Sequence, residues 1–68
     1  MAEGYIFEFC PVGSVMRVNA VDPETGTEVS IVGPRTASQK ELQVVAARKL
    51  RYVLAKRADA DGSTPDAR

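Results

Sequence analysis

Two turn signals in the first half of this chain restrict the folds open to it. Gly13-Ser14 is a two-residue connection with glycine at the position where a type II′ hairpin needs a positive φ. Residues 22–27, Asp-Pro-Glu-Thr-Gly-Thr, hold a second signal, in which Asp accepts backbone hydrogen bonds, Pro fixes φ and Gly tolerates the left-handed conformation. Turns this close together predict three consecutive antiparallel strands, the first over residues 5–11, the second from Val15 and the third ending at Gly33-Pro34.

Each turn also fixes a strand register. The first pairs Phe7 with Ala20, and the second pairs Ala20 with Val29. Both therefore send large apolar side chains to one face of a meander whose central strand is the second, and Pro11, which lacks an N–H, suits an edge strand. The apolar residues expected on this face are Phe7, Phe9, Val18, Val29 and Ile31.

A single amphipathic helix is predicted after the sheet. Ser38 followed by Glu41 is a capping-box pattern, with Thr36 the alternative cap, and the helix should continue to Lys56 or Arg57. At 100° per residue its apolar positions form one stripe that would cover the apolar face of the sheet. The stripe consists of Leu42, Val45, Ala46, Leu50, Val53 and Leu54.

The predicted fold class is α+β, a three-stranded antiparallel meander followed by one C-terminal amphipathic helix. Residues 1–57 form one βββα domain, and residues 58–68, which contain three Asp and no large apolar side chain, form a disordered acidic tail. No run of residues is apolar enough to span a bilayer, and the N-terminus lacks the pattern of a secretory signal. We therefore expect a soluble protein in the cytoplasm, without a membrane partner.

The sequence contains few reactive or metal-binding side chains. Cys10 is the one cysteine of the 68 residues, and the sequence has no histidine. An intrachain disulfide and the common zinc and haem sites are therefore excluded, and we expect no cofactor and no metal. A domain of this size buries little surface and is usually reinforced by a disulfide, a metal or oligomerisation, so oligomerisation remains.

Several features favour a homodimer. The helix should be longer than the strands, and the second face of the sheet mixes Ile6 and Val32 with charged groups. Scattered apolar residues are common on protein surfaces, which is the alternative explanation. Residues 33–36 make a short, proline-containing connection of the kind that favours exchange of the helix between subunits. The residues alone favour neither an exchanged helix nor a helix that folds back on its own sheet.

Three segments resemble a family of short, uncharacterised bacterial proteins classed as a domain of unknown function. They are residues 5–9, Tyr-Ile-Phe-Glu-Phe; residues 20–34, which contain Thr-Glu-Val-Ser-Ile-Val-Gly-Pro; and residues 47–54, Ala-Arg-Lys-Leu-Arg-Tyr-Val-Leu. The resemblance covers about residues 4–57. It implies a β-β-β-α order and a domain-swapped homodimer, and it brings no activity, cofactor or catalytic residue.

The candidates for catalysis are weak. A nucleophilic cysteine needs a neighbouring base or cation, and the only expected neighbour of Cys10 is Arg17. The carboxylates of Glu8 and Glu28 lie on strands of a chain too small to enclose a substrate. We therefore expect a non-catalytic protein, most simply a homodimeric interaction or regulatory module.

The distribution of charge gives one candidate surface. Residues 1–34 carry five acidic side chains against Arg17 alone, whereas residues 35–57 carry seven basic side chains against Glu41 alone. The partner protein is expected to bind this basic helix surface or the mixed second face of the sheet. The alternative is a small nucleic-acid-binding protein in which Tyr52 stacks on bases. Cations can also simply stabilise the end of a helix. The predicted interaction residues are Arg48, Arg51, Tyr52, Lys56 and Arg57.

Overall fold

The structure is a computed structural model that describes residues 4–58. Its elements are strands β1 (Ile6–Val12), β2 (Val15–Asp22) and β3 (Thr27–Pro34), followed by helix α1 (Gln39–Ala58). This confirms the predicted α+β order. The acidic tail expected from residue 58 lies, apart from Ala58 itself, outside the described residues.

The three strands form an antiparallel sheet in the order β1-β2-β3. Phe7 lies opposite Ala20 in the first hairpin, and Ala20 lies opposite Val29 in the second, so both predicted registers are confirmed. Gly13 has φ of 59° and Gly26 has φ of 76°. Both values belong to the left-handed region that glycine adopts without strain, which is why these turns occur where the sequence predicts them.

Asp22 organises the second turn. Its carbonyl accepts a hydrogen bond of 2.8 Å from Gly26 N–H, and its Oδ1 accepts one of 3.0 Å from Glu24 N–H. The side chain thus mimics a backbone turn before the chain reverses into β3.

Helix α1 begins immediately after Ser38. The Glu41 N–H donates a hydrogen bond of 3.0 Å to Ser38 Oγ, which identifies Ser38 as the N-cap residue in preference to Thr36. The helix ends at Ala58, one residue beyond the predicted end.

The core lies between α1 and the strands β2 and β3, against which the helix packs. Phe7 and Phe9 of β1 contact this core but remain half-buried. The helix therefore leaves the β1 side of the sheet less covered than the rest. The fully enclosed cluster consists of Val18, Ala20, Val29, Leu42, Ala46 and Leu50.

One residue of the predicted apolar stripe does not belong to it. Val45 is 47% exposed, whereas Ala47, which the stripe omitted, is only 3% exposed. Relative to Leu50, Val45 lies about 140° around the helix and Ala47 only about 60°, so a stripe centred on Leu50 takes in Ala47 and excludes Val45. The expectation for Val45 was wrong.

Candidate functional site

The solvent-facing side of α1 is a candidate binding surface. Val45, Arg48, Tyr52 and Lys56 follow one another at spacings of three or four residues and are all exposed, so they line one side of the helix. We call these four residues the outer surface of α1. Tyr52 is 63% exposed, and Lys56 Nζ lies 5.8 Å from the centre of its ring, which is within the range of a cation–π interaction.

Arg51 lies beside the outer surface rather than within it. It shares a shallow depression of about 250 Å³ with Gln43, Val44 and Ala47. It lies three positions after Arg48, so the two residues are about 60° apart around the helix axis. Arg51 therefore extends the basic surface toward the flank of α1.

Arg57 occupies a different position from the other predicted interaction residues. Its Nη1 donates a hydrogen bond of 3.2 Å to the hydroxyl of Thr27, a residue that is only 5% exposed. The Thr25 hydroxyl lies 2.8 Å from the same oxygen, in a separate hydrogen bond. Arg57 thus fastens the end of the helix to the start of β3, and the structure assigns it to the fold rather than to the outer surface.

Lys49 also binds the sheet. Its Nζ donates a hydrogen bond of 3.0 Å to the carbonyl oxygen of Ser30 in β3. The basic run that is continuous in sequence is therefore divided in space, with Lys49 and Arg57 attached to the sheet and Arg48, Arg51 and Lys56 facing away from it.

A shallow apolar groove adjoins the outer surface at the start of α1. Its volume is about 630 Å³, and Val44 and Val45, exposed by 45% and 47%, form part of its wall. The groove was not expected from the sequence, because Val45 was assigned to the core. The other lining residues are Ala37, Ser38, Lys40, Glu41 and Leu42.

The open face of the sheet mixes apolar and polar side chains. Cys10 is half-buried and lies opposite Arg17 in the register, and the hydroxyl of Ser30 donates to Oδ1 of Asn19. Ile6 and Val32, exposed by 58% and 61%, flank this polar centre. The uncovered face thus has apolar groups on either side of a polar middle.

The described residues offer neither a metal site nor a membrane-spanning helix. Within residues 4–58, no three His, Cys, Asp or Glu side chains lie close enough together to form a metal site. In the same part of the chain, no helix is both long and apolar enough to cross a membrane.

These observations define a small α+β domain with an exposed basic and aromatic helix surface. The chain belongs to the family described as a domain of unknown function, DUF6898, whose model matches residues 2–57. Neither the curated proteins nor the solved structures gave a match.

Proposed function

We propose that this chain is a non-catalytic, homodimeric interaction module whose partner protein binds the outer surface of α1. The observation that carries the proposal is the exposure of Val45 and Tyr52 on a helix that has already used its opposite face for the core. Burying these two side chains against a partner would remove apolar area from water that the fold itself leaves exposed.

The composition of the outer surface favours a protein partner. Tyr and Arg are enriched where interfaces concentrate their binding energy, because a rigid ring and a planar guanidinium provide area and directed hydrogen bonds at a small entropic cost. Tyr52 and Arg48 supply both, and Lys56 adds a second cation on the same side. The expected partner presents an apolar patch with carboxylates around it.

The absence of catalysis is part of the proposal. Cys10, the only thiol, faces Arg17 across the hairpin, and the sequence has no histidine to act as a base. The Asp22 carboxylate accepts hydrogen bonds from Glu24 and Thr25 within its own turn, so it acts as a turn-forming group.

Dimerisation, with α1 exchanged between subunits, remains a prediction. Arg35 Nη1 donates a hydrogen bond of 3.0 Å to the carbonyl of Gly13, which places the connection between β3 and α1 beside the first turn. An exchanged helix would make the same contacts with the sheet of the other subunit, since only the path of this connection would change.

Sedimentation over a concentration series tests the dimer directly. We expect a mass of two subunits that falls toward one on dilution. A mass of one subunit at high concentration would refute the dimer.

The second candidate is nucleic-acid binding, favoured by the exposure of Arg48 and Arg51 beside Tyr52. Cations would contact phosphates and the tyrosine ring would stack on a base. Titration with RNA and with duplex DNA at low and higher salt decides the matter. Binding that weakens steeply with salt supports this candidate, and no binding at low salt removes it.

Charge reversal tests the protein partner. The Arg48→Glu/Arg51→Glu variant changes the outer surface and its flank, and Arg35→Glu/Lys40→Glu makes the same change in charge at the other end of α1. A partner recovered from native lysate with the wild type and with the control should be lost with the first variant. Equal recovery with both variants would place the binding site elsewhere.

A further inference from the structure

The two edges of the sheet differ in how their backbone groups are used. On the β3 edge, the Ser30 carbonyl accepts a hydrogen bond from Lys49, and the Pro34 carbonyl accepts one of 3.0 Å from Ala37 N–H. Pro34 has no N–H to offer, and a lysine laid over an edge strand is a common protection against further strand pairing. The β3 edge is therefore the more protected of the two, with the outward carbonyls of Ser30 and Pro34 occupied.

The β1 edge has a regular set of outward-facing backbone groups. A two-residue loop makes the flanking Val12 and Val15 a hydrogen-bonded pair, so alternate residues of β1 bond to β2 and the others face outward. The outward residues are Phe7, Phe9 and Pro11. Within residues 4–58 no other group bonds to these outward positions. The same alternation places the Ser30 carbonyl outward on β3, where Lys49 reaches it.

We propose that β1 pairs with β1 of a second copy of this chain, antiparallel, with Phe9 at the two-fold axis. The pairing joins two sheets into one of twice the width, with both helices on the same face. This inference rests on the proposed homodimer, and it places the interface at β1 with each α1 packed on its own sheet instead of exchanged.

The positions of the backbone donors support this register. Phe9 donates to and accepts from Phe9 of the partner subunit, and Phe7 N–H donates to the carbonyl of the partner subunit's Pro11. The missing N–H of Pro11 then removes only the hydrogen bond to the carbonyl of the partner subunit's Phe7, once at each end of the pairing. Moving the axis to Glu8 would place two carboxylates directly opposite each other, which is unfavourable.

The side chains are also complementary in this register. Glu8 lies opposite the partner subunit's Cys10, which is followed on the next strand by the partner subunit's Arg17. With strands about 4.8 Å apart, Glu8 and that arginine are about 10 Å apart at the backbone, and their long side chains reach across the small cysteine. Ile6, 58% exposed, faces the partner subunit's Val12, and Val12 is 54% exposed in the single chain.

Disulfide trapping tests the register. In the wild type, the two Cys10 residues are offset by two positions, so their Cα atoms are about 8 Å apart, beyond the reach of a disulfide. Glu8→Cys places a new thiol opposite Cys10 of the partner subunit, in a pair without mutual hydrogen bonds where Cα atoms are about 4.5 Å apart. Mild oxidation should convert this variant, and not the wild type, to a covalent dimer linked between positions 8 and 10.

The matched control is Ser30→Cys, which adds an exposed thiol on the same face of the sheet at the β3 edge. It should remain a non-covalent species under the same oxidation. Crosslinking of this control, or of the wild type through Cys10, to the extent seen with Glu8→Cys would overturn the proposed register. Absence of crosslinking in Glu8→Cys would do the same.

Sedimentation of the unoxidised proteins separates this inference from the proposed function. A wild type that is dimeric while Glu8→Cys fails to crosslink keeps the homodimer and refutes the β1 interface. A monomeric wild type at high concentration refutes both.

Discussion

At the residue scale, the absence of a side chain at Gly33 allows Leu42 of α1 to pack closely against β3. A Cβ built on this glycine would lie 2.5 Å from Cδ2 of Leu42, closer than two carbon atoms can approach. Its φ lies outside the left-handed region, in contrast to Gly13 and Gly26, so space rather than backbone conformation requires glycine here. Leu42, only 6% exposed, occupies the volume that a side chain at position 33 would need.

We expect Gly33→Val to destabilise the protein by about 1 to 3 kcal/mol, because the larger side chain must displace Leu42. Leu42→Ala should cost about 2 to 5 kcal/mol through the cavity that it leaves. The double variant should cost less than the two together, since alanine at position 42 makes room for valine. Urea denaturation gives the three free energies of unfolding, and additive values would contradict the proposed contact.

At the scale of elements, two polar side chains bind backbone groups at the boundaries of the fold. Ser38 does so at the start of α1 and Lys49 at the edge of β3. Ser38 accepts the hydrogen bond of an N–H that the first helical turn cannot satisfy, while Glu41 places a negative charge near the positive end of the helix. Lys49 covers a carbonyl on the edge of β3. The helix is thus held to its sheet by polar contacts at the rim as well as by the apolar core.

Removal of the cap should lower stability. Ser38→Ala is expected to reduce the free energy of unfolding by about 1 kcal/mol, and Ser38→Asp should retain it because the carboxylate also accepts the Glu41 N–H. Thr36→Ala is the matched control and should change stability by less than about 0.5 kcal/mol. A larger loss for Thr36 than for Ser38 in chemical denaturation would show that the helix begins elsewhere.

Loss of the lysine on the edge should affect association more than stability. Lys49→Ala exposes the Ser30 carbonyl and removes the charge that opposes strand addition, so we expect faster aggregation measured by light scattering. The change in stability should be below about 1 kcal/mol, because the contact is exposed to solvent. Arg48→Ala removes the same charge from the outer surface and should leave the aggregation rate unchanged. Equal rates for the two variants would argue against a protective role for Lys49.

At the scale of the whole molecule, the roll of the helix on the sheet divides α1 into a buried and an exposed side. Leu50 is completely buried at its centre, whereas Val45 and Tyr52 face solvent. A chain of 68 residues has a total stability of about 3 to 10 kcal/mol at typical values per residue, so single core residues matter greatly. The core is small, and the exposed side of the same helix remains available for a partner.

Two alanine substitutions, one on the buried side of α1 and one on the exposed side, test this division. Leu50→Ala should cost about 2 to 5 kcal/mol, because it opens a cavity in the core. Val45→Ala should change stability by about 0.5 kcal/mol or less. Thermal unfolding followed by circular dichroism gives both values, and a comparable loss for Val45→Ala would return that residue to the core.

The sequence by itself determined the features that depend on neighbouring residues. The glycines at positions 13 and 26 supply the positive φ values that their turns need, and those turns set both registers through the period of two along a strand. Ser38 marks the start of the helix for the same reason, since a cap acts over only three residues. All five predicted interaction residues, Arg48, Arg51, Tyr52, Lys56 and Arg57, are exposed, and Arg57 differs from the others in its hydrogen bond to Thr27.

Only the tertiary structure decided which side of α1 meets the sheet and which cations are free. Val45 and Ala47 are both apolar and lie about 160° apart around the helix, so the side of the helix that meets the sheet decides which of them is buried. Packing of Leu42 over Gly33 and of the helix over β2 and β3 selects Ala47 and brings Arg57 to Thr27. These outcomes depend on contacts between residues far apart in the chain, and helical periodicity carries no information about such contacts.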